Sequence, residues 1–483
     1  MPVLNLDAAS FQFVLFGLAA AALSNVSRSP WWRSIVLFLA SMGFLGLLSP
    51  DPLAWVPLAG FLLLGYGAIV AMQRGMSRLL VWCIPGLVLA YIWLKKYTFL
   101  PDSILLHFSF FTLGLSYIFF RVLHLVIETG EGAEQPPVSL GAYLLYTLNF
   151  ATFISGPIQR YDEFARDQFA REPVELGARV VGLQMYRIVL GFFKVNVVAM
   201  LFHALHEDAL TQMLRPSPLN SKLFCAFQIF TLYPLFLYSN FSGYIDIVIA
   251  LARLMRVRLP ENFDRPFSAS SVLEFWNRWH MTLSNWFKVY VYNPLLLALM
   301  RRVSSSAVQP LLAVVCFFVT FFLMGVWHGR TSEFVVFGVL NGLGISINKL
   351  WQIWLTRLKG RKGYTALARN ETYTAFGRGL NFSWYAFTMF WFWGTWKQID
   401  SIFDSLTSLQ WLLVWMAIWL ISTAVLEFWE RLRSALLSVT TVDGPVLTSR
   451  YARVVYATAM GVFCFLVAIL LNQPAPTIVY KGF

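Results

Sequence analysis

Hydrophobic positions along this chain gather into long runs divided by short polar stretches. A helix needs about 20 mostly apolar residues to cross roughly 30 Å of hydrocarbon, and many of these runs approach that length. They are Phe11–Leu23, Ser34–Leu48, Leu53–Met72, Leu79–Leu94, Ile104–Ile127, Tyr143–Ser155 and Val180–Leu205. Further along come Leu223–Ser239, Gln309–Trp327, Phe334–Trp354, Phe382–Trp396, Trp411–Leu426 and Val454–Leu471. Counted by length they predict roughly 11–14 membrane helices, and so an all-α polytopic membrane protein. The first run has no basic segment ahead of it, which argues for a retained helix over a cleaved signal peptide.

The pattern changes between Arg258 and Met300. Leu259 to Phe267 is polar and punctuated by Pro260 and Pro266, which excludes a helix there. Ser271 then precedes Glu274 by three residues, a capping-box spacing that starts one. From that point Val272, Phe275, Trp276, Trp279, Leu283, Trp286, Phe287 and Tyr290 recur at steps of three and four, which predicts one continuous apolar helical face. Asn277, Arg278, Met281, Asn285 and Lys288 occupy the other face. Such a helix lies in the headgroup plane or enters the bilayer packed against protein. The Glu128–Pro137 stretch, acidic and ending in two prolines, is a hinge candidate.

Composition supports the membrane reading and removes others. Of the 483 residues, 58% are hydrophobic and 13% charged, against about 25% charged in a soluble domain. The four cysteines, Cys83, Cys225, Cys316 and Cys464, stand singly in apolar runs, without the paired spacing of a disulfide framework or zinc site. The net charge of +13 is no sign of nucleic-acid binding, because the basic residues concentrate in three loop regions. These are Arg253 to Arg302, Arg357 to Arg378, and Arg431 to Arg450, with two helices between successive stretches. All three therefore fall on one side, the cytoplasmic side by the positive-inside rule. The N-terminal half is less regular, since Lys95 and Lys96 fall on the opposite side. No internal repeat of the transporter kind is present.

Two histidines carry candidate chemistry. His280 follows Trp276 by four residues, at the edge of the aromatic face. Its position alone leaves open a histidine that only bonds water or a carbonyl, although ionisable groups at membrane depth tend to mark function. His328 closes an apolar run inside Gly325-Val326-Trp327-His328-Gly329. The flanking glycines admit the close approach of another backbone or of a substrate. Spacing leaves equally open a histidine that stabilises the last carbonyls of a helix.

Several segments together resemble a known family. Arg258 to Phe263 with Arg265-Pro266-Phe267, then Phe275-Trp276-Asn277-Arg278-Trp279-His280-Met281-Thr282-Leu283-Ser284, resemble the signature of membrane-bound O-acyltransferases, in the branch of alginate O-acetylases and teichoic-acid D-alanyl transferases. The Gly-Val-Trp-His-Gly at 325–329 is similar to that family's second signature. Leu115-Ser116-Tyr117, Ser155-Gly156-Pro157-Ile158 and Phe241 to Ile247 resemble its upstream landmarks, so that the likeness spans roughly residues 110–345 in consistent order. It implies tilted helices around a central funnel with re-entrant segments. It also implies an N-terminal helical bundle over 1–130, a catalytic core over 131–355 and a C-terminal bundle over 356–483. Two departures bear on donor docking and partner choice. Asn240 stands where many members of the branch have aspartate, and Lys288-Val289 where many have Arg-Asp.

The resemblance implies that His328 is the catalytic residue, with His280 near the same tunnel. Acyl transfer to a hydroxyl needs a base and oxyanion donors, and histidine titrates near neutral pH. His328 is accordingly expected to take the hydroxyl proton, and His280 to position the thioester or steady the oxyanion. Trp276, Asn277, Trp279, Ser284, Asn240, Tyr244, Asp246 and Trp327 are the expected substrate-binding residues. The absence of a G-x-S-x-G motif favours direct transfer over an acyl-enzyme, and two histidines without a nearby carboxylate–cysteine cluster argue against a metal site. The expected donor is acetyl-CoA or an acyl-carrier-protein thioester, used as substrate with no bound cofactor. The expected acceptor is an exported polysaccharide or a periplasmic relay protein, at the bacterial inner membrane. The rivals are D-alanyl transfer from a carrier protein and a non-enzymatic lipid or polysaccharide translocase.

Overall fold

The computed structural model describes residues 10–440 apart from 111, 304, 306 and 307, together with 454–455, 458–459 and 461–463. Cys464 and most of the run Val454–Leu471 lie outside the described residues. The architecture is all-α, and no β-strand occurs among the described residues. By contact the chain divides into two compact units that are not contiguous in sequence. The first holds the described residues up to Asn196 together with Phe241–Glu261; the second holds Val197–Asn240 and the described residues from Asn262 onward.

The first unit contains helices α1 (Phe11–Ser24), α2 (Pro30–Leu48), α3 (Val56–Gln73), α4 (Leu80–Lys95), α5 (Leu115–Gly130), α6 (Leu140–Thr147), α7 (Tyr161–Gln168) and α8 (Ala178–Phe193). The apolar run Tyr143–Ser155 does not continue as one helix. Helix α6 stops at Thr147 and a 3₁₀ turn follows at Phe150–Thr152. The cause is a buried cation: Arg121 of α5, 1% exposed, donates to the carbonyls of Tyr146, Thr147 and Thr152. A guanidinium placed there satisfies backbone oxygens that a continuous helix would have kept. Arg33 of α2 works similarly, donating to the carbonyls of Asp167 at 3.0 Å and Ala170 at 2.6 Å after α7.

The second unit starts with α9 (Met200–Met213), and α10 (Leu219–Leu254) begins in it and ends in the first. Then come α11 (Val272–Trp276), α12 (Met281–Phe287), α13 (Asn293–Arg302), α14 (Gln309–His328), α15 (Ser332–Ala368), α16 (Glu371–Trp393), α17 (Trp396–Phe403) and α18 (Ser408–Thr440). Among the described residues eight helical spans are long and apolar enough to cross a membrane. Large apolar side chains such as Leu63, Trp82, Leu409 and Val425 stand exposed on them, as lipid-facing positions should. The protein is therefore a multi-pass membrane protein. Other apolar runs form shorter helices: Phe11–Leu23 folds as the 14-residue α1, and the described part of Ile104–Ile127 contributes to the 16-residue α5.

Candidate active site

In the first unit three sequence landmarks converge. The ring of Tyr117 lies against Gly156. The hydroxyl of Tyr244, on α10, accepts a hydrogen bond from the backbone N–H of Ser155 at 3.3 Å. Two residues on, Asp246 accepts from Arg187 Nε at 2.9 Å and from Lys194 Nζ at 2.7 Å, and Arg187 also pairs with Glu261. Asp246 is thus the anion that holds two cations of α8 and its following turn. At the loop leading toward Glu261, Asp167 accepts from the backbone N of Arg258 at 2.8 Å and from its Nη2 at 2.6 Å. That carboxylate raises the guanidinium pKa of Arg258.

The second unit holds both histidines. His328 is the last residue of α14 and 4% exposed. Its ring packs against Trp327 at 4.8 Å, Phe392 at 5.4 Å and Phe337 at 5.8 Å between centroids. The flanking glycines have distinct reasons. A Cβ on Gly325 would meet Gly338 Cα of α15 at 2.2 Å, and one on Gly329 would meet the Phe334 ring at 2.1 Å. The space is therefore filled by protein: Gly325 lets the α14 and α15 backbones touch, and Gly329 lets a ring cover the turn.

Around His280 the structure corrects the expectation of one continuous helix from Val272 to Tyr290. Helix α11 ends at Trp276 and α12 starts at Met281, with His280 between them at φ 43° and ψ 53°. A left-handed conformation at a residue with a Cβ costs about 1–2 kcal/mol and persists only when its surroundings hold it. Here the Leu259–Phe267 loop does so. Phe263 forms an antiparallel bridge with Trp279. Asp264 N donates to the Arg278 carbonyl at 3.0 Å, and Met281 N to that of Asn262 at 2.9 Å. Asn262 Oδ1 accepts from Thr282 N at 3.2 Å and from Thr282 Oγ1 at 2.6 Å. The three-four periodicity was real in each half, but the register is interrupted by this loop contact. The N-cap reading at Ser271 holds, its hydroxyl accepting from Glu274 N at 3.3 Å. The reciprocal bond is displaced by one residue, since the Glu274 carboxylate takes Ser270 N and Oγ.

His280 is 0% exposed, and burial pushes its imidazole down to about 3, so that it is neutral near physiological pH. Trp279 beside it stacks on Phe275 at 5.6 Å and meets Phe263 and Tyr385, each at 5.1 Å. Trp276 meets Phe321 of α14 at 5.1 Å. These contacts place Trp276 and Trp279, the neighbours of His280, relative to His328. Phe321 and His328 are seven residues apart on α14, and Tyr385 and Phe392 seven apart on α16. At 1.5 Å per residue both helices put the Trp276–His280 layer about 10 Å along the axis from the His328 layer.

The ends of these helices are equally well defined. Arg378 in the first half of α16 pairs with Glu427 in the second half of α18, and Arg431 reaches Glu371, the first residue of α16, at 3.7 Å. At the other end Trp396 Nε1 donates to Ser332 Oγ at 2.7 Å. His328 therefore stands at the end of α14 away from the basic clusters, with the His280 layer between.

Residues 74–392, which include both histidines, match the model of the membrane-bound O-acyltransferase (MBOAT) family. The chain belongs to that family. A teichoic acid D-alanyltransferase of Streptococcus thermophilus is 31% identical over 282 residues, 56% of this chain and 65% of that protein. A probable alginate O-acetylase of Pseudomonas fluorescens is 29% identical over 323 residues, 66% of this chain and 61% of that protein. A peptidoglycan O-acetyltransferase of Helicobacter pylori is 28% identical over 47% of this chain and 42% of that protein. The matched region thus spans less than two thirds of each of these relatives.

Of the other expected site residues, Trp327 packs on His328, whereas Asn277 is exposed and closes α11. Ser284 Oγ donates to the Trp279 carbonyl at 3.3 Å, and Asn240 is buried on α10. Sequence reading missed Asn262, Phe337, Tyr385 and Phe392. Asn262 lies inside a quoted motif; the three aromatics sit in ordinary apolar runs, where nothing marks the rings that will face His328 (Phe337 and Phe392) or Trp279 (Tyr385). Among the described residues no group of three or more His, Cys, Asp or Glu side chains could hold a metal ion.

Proposed function

We propose that this MBOAT protein is an O-acyltransferase that moves an acyl group, acetyl in the leading reading, from a cytoplasmic thioester to a hydroxyl. The acceptor hydroxyl belongs to an exported polysaccharide or to a periplasmic relay protein, and the membrane is the bacterial inner membrane. The observation that carries the proposal is that both histidines are buried in one unit, and that the Trp276 and Trp279 rings beside His280 meet α14 and α16 about 10 Å nearer the basic end than the ring contacts of His328. With the basic end cytoplasmic, a thioester on coenzyme A or a carrier protein meets the His280 layer first. The acceptor then meets His328 from the far side. The names of the Pseudomonas and Helicobacter relatives support acetyl transfer to a polymer.

In this reading His328 takes the proton as the acceptor oxygen attacks the thioester carbonyl carbon. The C–O bond forms, the carbonyl pair moves to oxygen, and collapse breaks the C–S bond with the proton passing to the thiolate. General-base catalysis of this kind contributes about 10²–10⁴ in rate. A second reading, D-alanyl transfer from a carrier protein, is favoured by the Streptococcus relative. Incubating purified protein with labelled acetyl-CoA or with a D-alanyl carrier protein separates the two. His328→Ala should abolish transfer from the active donor while leaving folding in detergent intact; retained transfer would remove His328 from the mechanism.

A further inference from the structure

Asn262 has a side chain with one half fully used and the other half unspent. It is 0% exposed. Its Oδ1 accepts from both the N–H and the hydroxyl of Thr282. Because a backbone N–H can only donate, the atom facing Thr282 must be oxygen, and the amide cannot be turned over. The Nδ2 group is thereby left out of the contact with Thr282, and among the described residues nothing accepts a hydrogen bond from it. A buried amide donor without an acceptor is destabilising, and such a group in a native structure calls for an explanation. Asn262 also supports, through Met281 and Thr282, the strained turn that places His280. The donor is therefore fixed beside the His280 turn, on the side from which the thioester arrives in the acyl-transfer reading. The other polar candidates there are less suitable, Ser284 being engaged with the Trp279 carbonyl and Asn277 exposed.

We infer that Asn262 Nδ2 is a hydrogen-bond donor to the thioester carbonyl oxygen, and to the oxyanion formed from it when the acceptor oxygen attacks. The inference rests on the acyl-transfer reading above and names the group that receives the developing charge. The amide keeps its protons throughout; the carbonyl pair it stabilises returns to re-form C=O as the C–S bond breaks. A donor fixed before the reaction is effective because it needs no reorganisation as the charge develops.

Two unreactive analogues of the donor test this. Acetonyl-CoA keeps the carbonyl oxygen with a methylene inserted before it, whereas S-ethyl-CoA has no carbonyl. If the carrier protein proves to be the donor, the same two groups are placed on its phosphopantetheine thiol. Asn262→Ala should weaken binding of the ketone about 10-fold, leave the thioether within 2-fold, raise the donor KM by up to a similar factor, and lower kcat by about 10²–10³. A purely structural role would weaken both analogues together, and that result, or an unchanged ratio, overturns the inference. Should Asn262→Ala fail to fold, Asn262→Asp at pH 8 keeps the Oδ1 acceptor for Thr282 and is read by the same ratio. If neither analogue binds wild-type protein at all, the donor reading itself fails and this inference with it.

Discussion

Replacing Gly325 by alanine puts a methyl group 2.2 Å from Gly338 Cα and 2.6 Å from Gly338 N. Both atoms are backbone, so neither can rotate away. Relief requires α14 and α15 to separate by roughly 1.2 Å, the gap between 2.2 Å and ordinary contact at 3.4 Å. Overpacking of this kind costs typically about 1–3 kcal/mol, and a rigid backbone contact belongs at the upper end. His328 lies three residues on, on the same helix, and its ring is framed by Phe337 of α15 and Phe392 of α16. A displacement near 1 Å at that point is enough to lower turnover about 10²-fold. The assay is acyl transfer together with thermal unfolding in detergent, with Gly67→Ala as the control. Gly67 is exposed on α3 with no atom within 4 Å of a new Cβ, so that change should be neutral or gain about 0.5–1 kcal/mol of helix propensity. If Gly325→Ala melts and turns over like the control, the close contact does not position His328 and the reasoning fails.

Two further outcomes follow from the same packing. His280 is held to about 3 by burial, so below its unfolded value near 6.5 the unfolded chain binds more protons than the native one. Stability should fall as pH drops below 6.5, by up to about 1.4 kcal/mol per pH unit. His280→Gln should flatten that slope between pH 6.5 and 5 in thermal unfolding; an unchanged slope would remove His280 as its source. Asp246→Ala should leave Arg187 and Lys194 without their shared carboxylate and cost about 2 kcal/mol, between surface and buried ion pairs. An unchanged melting temperature with a raised donor KM would instead make Asp246 a substrate ligand.

Most of the membrane character, and the place of the candidate His328 at a helix end, could be read from the residues alone, because long apolar runs and a histidine at the end of one are local patterns. The run Gln309–Trp327 became α14 almost to the residue, and the proline-punctuated Leu259–Phe267 segment stayed out of any α-helix. The break at His280 could not be read that way. A three-four spacing continues through Trp276, Trp279 and Leu283 as if one helix ran on, and it is Asn262, 18 residues earlier, that stops it. Likewise Tyr143–Ser155 is apolar enough to look like a span until Arg121 of another helix claims its carbonyls. The glycines of the 325–329 motif were open to a backbone or a substrate, and only the arrival of α15 and Phe334 decided for protein. The division has a physical reason. Transfer into hydrocarbon is additive over residues along the chain, so sequence determines which segments enter the membrane. Hydrogen bonds and ring contacts between distant segments depend on where those segments meet, and only the folded structure sets that.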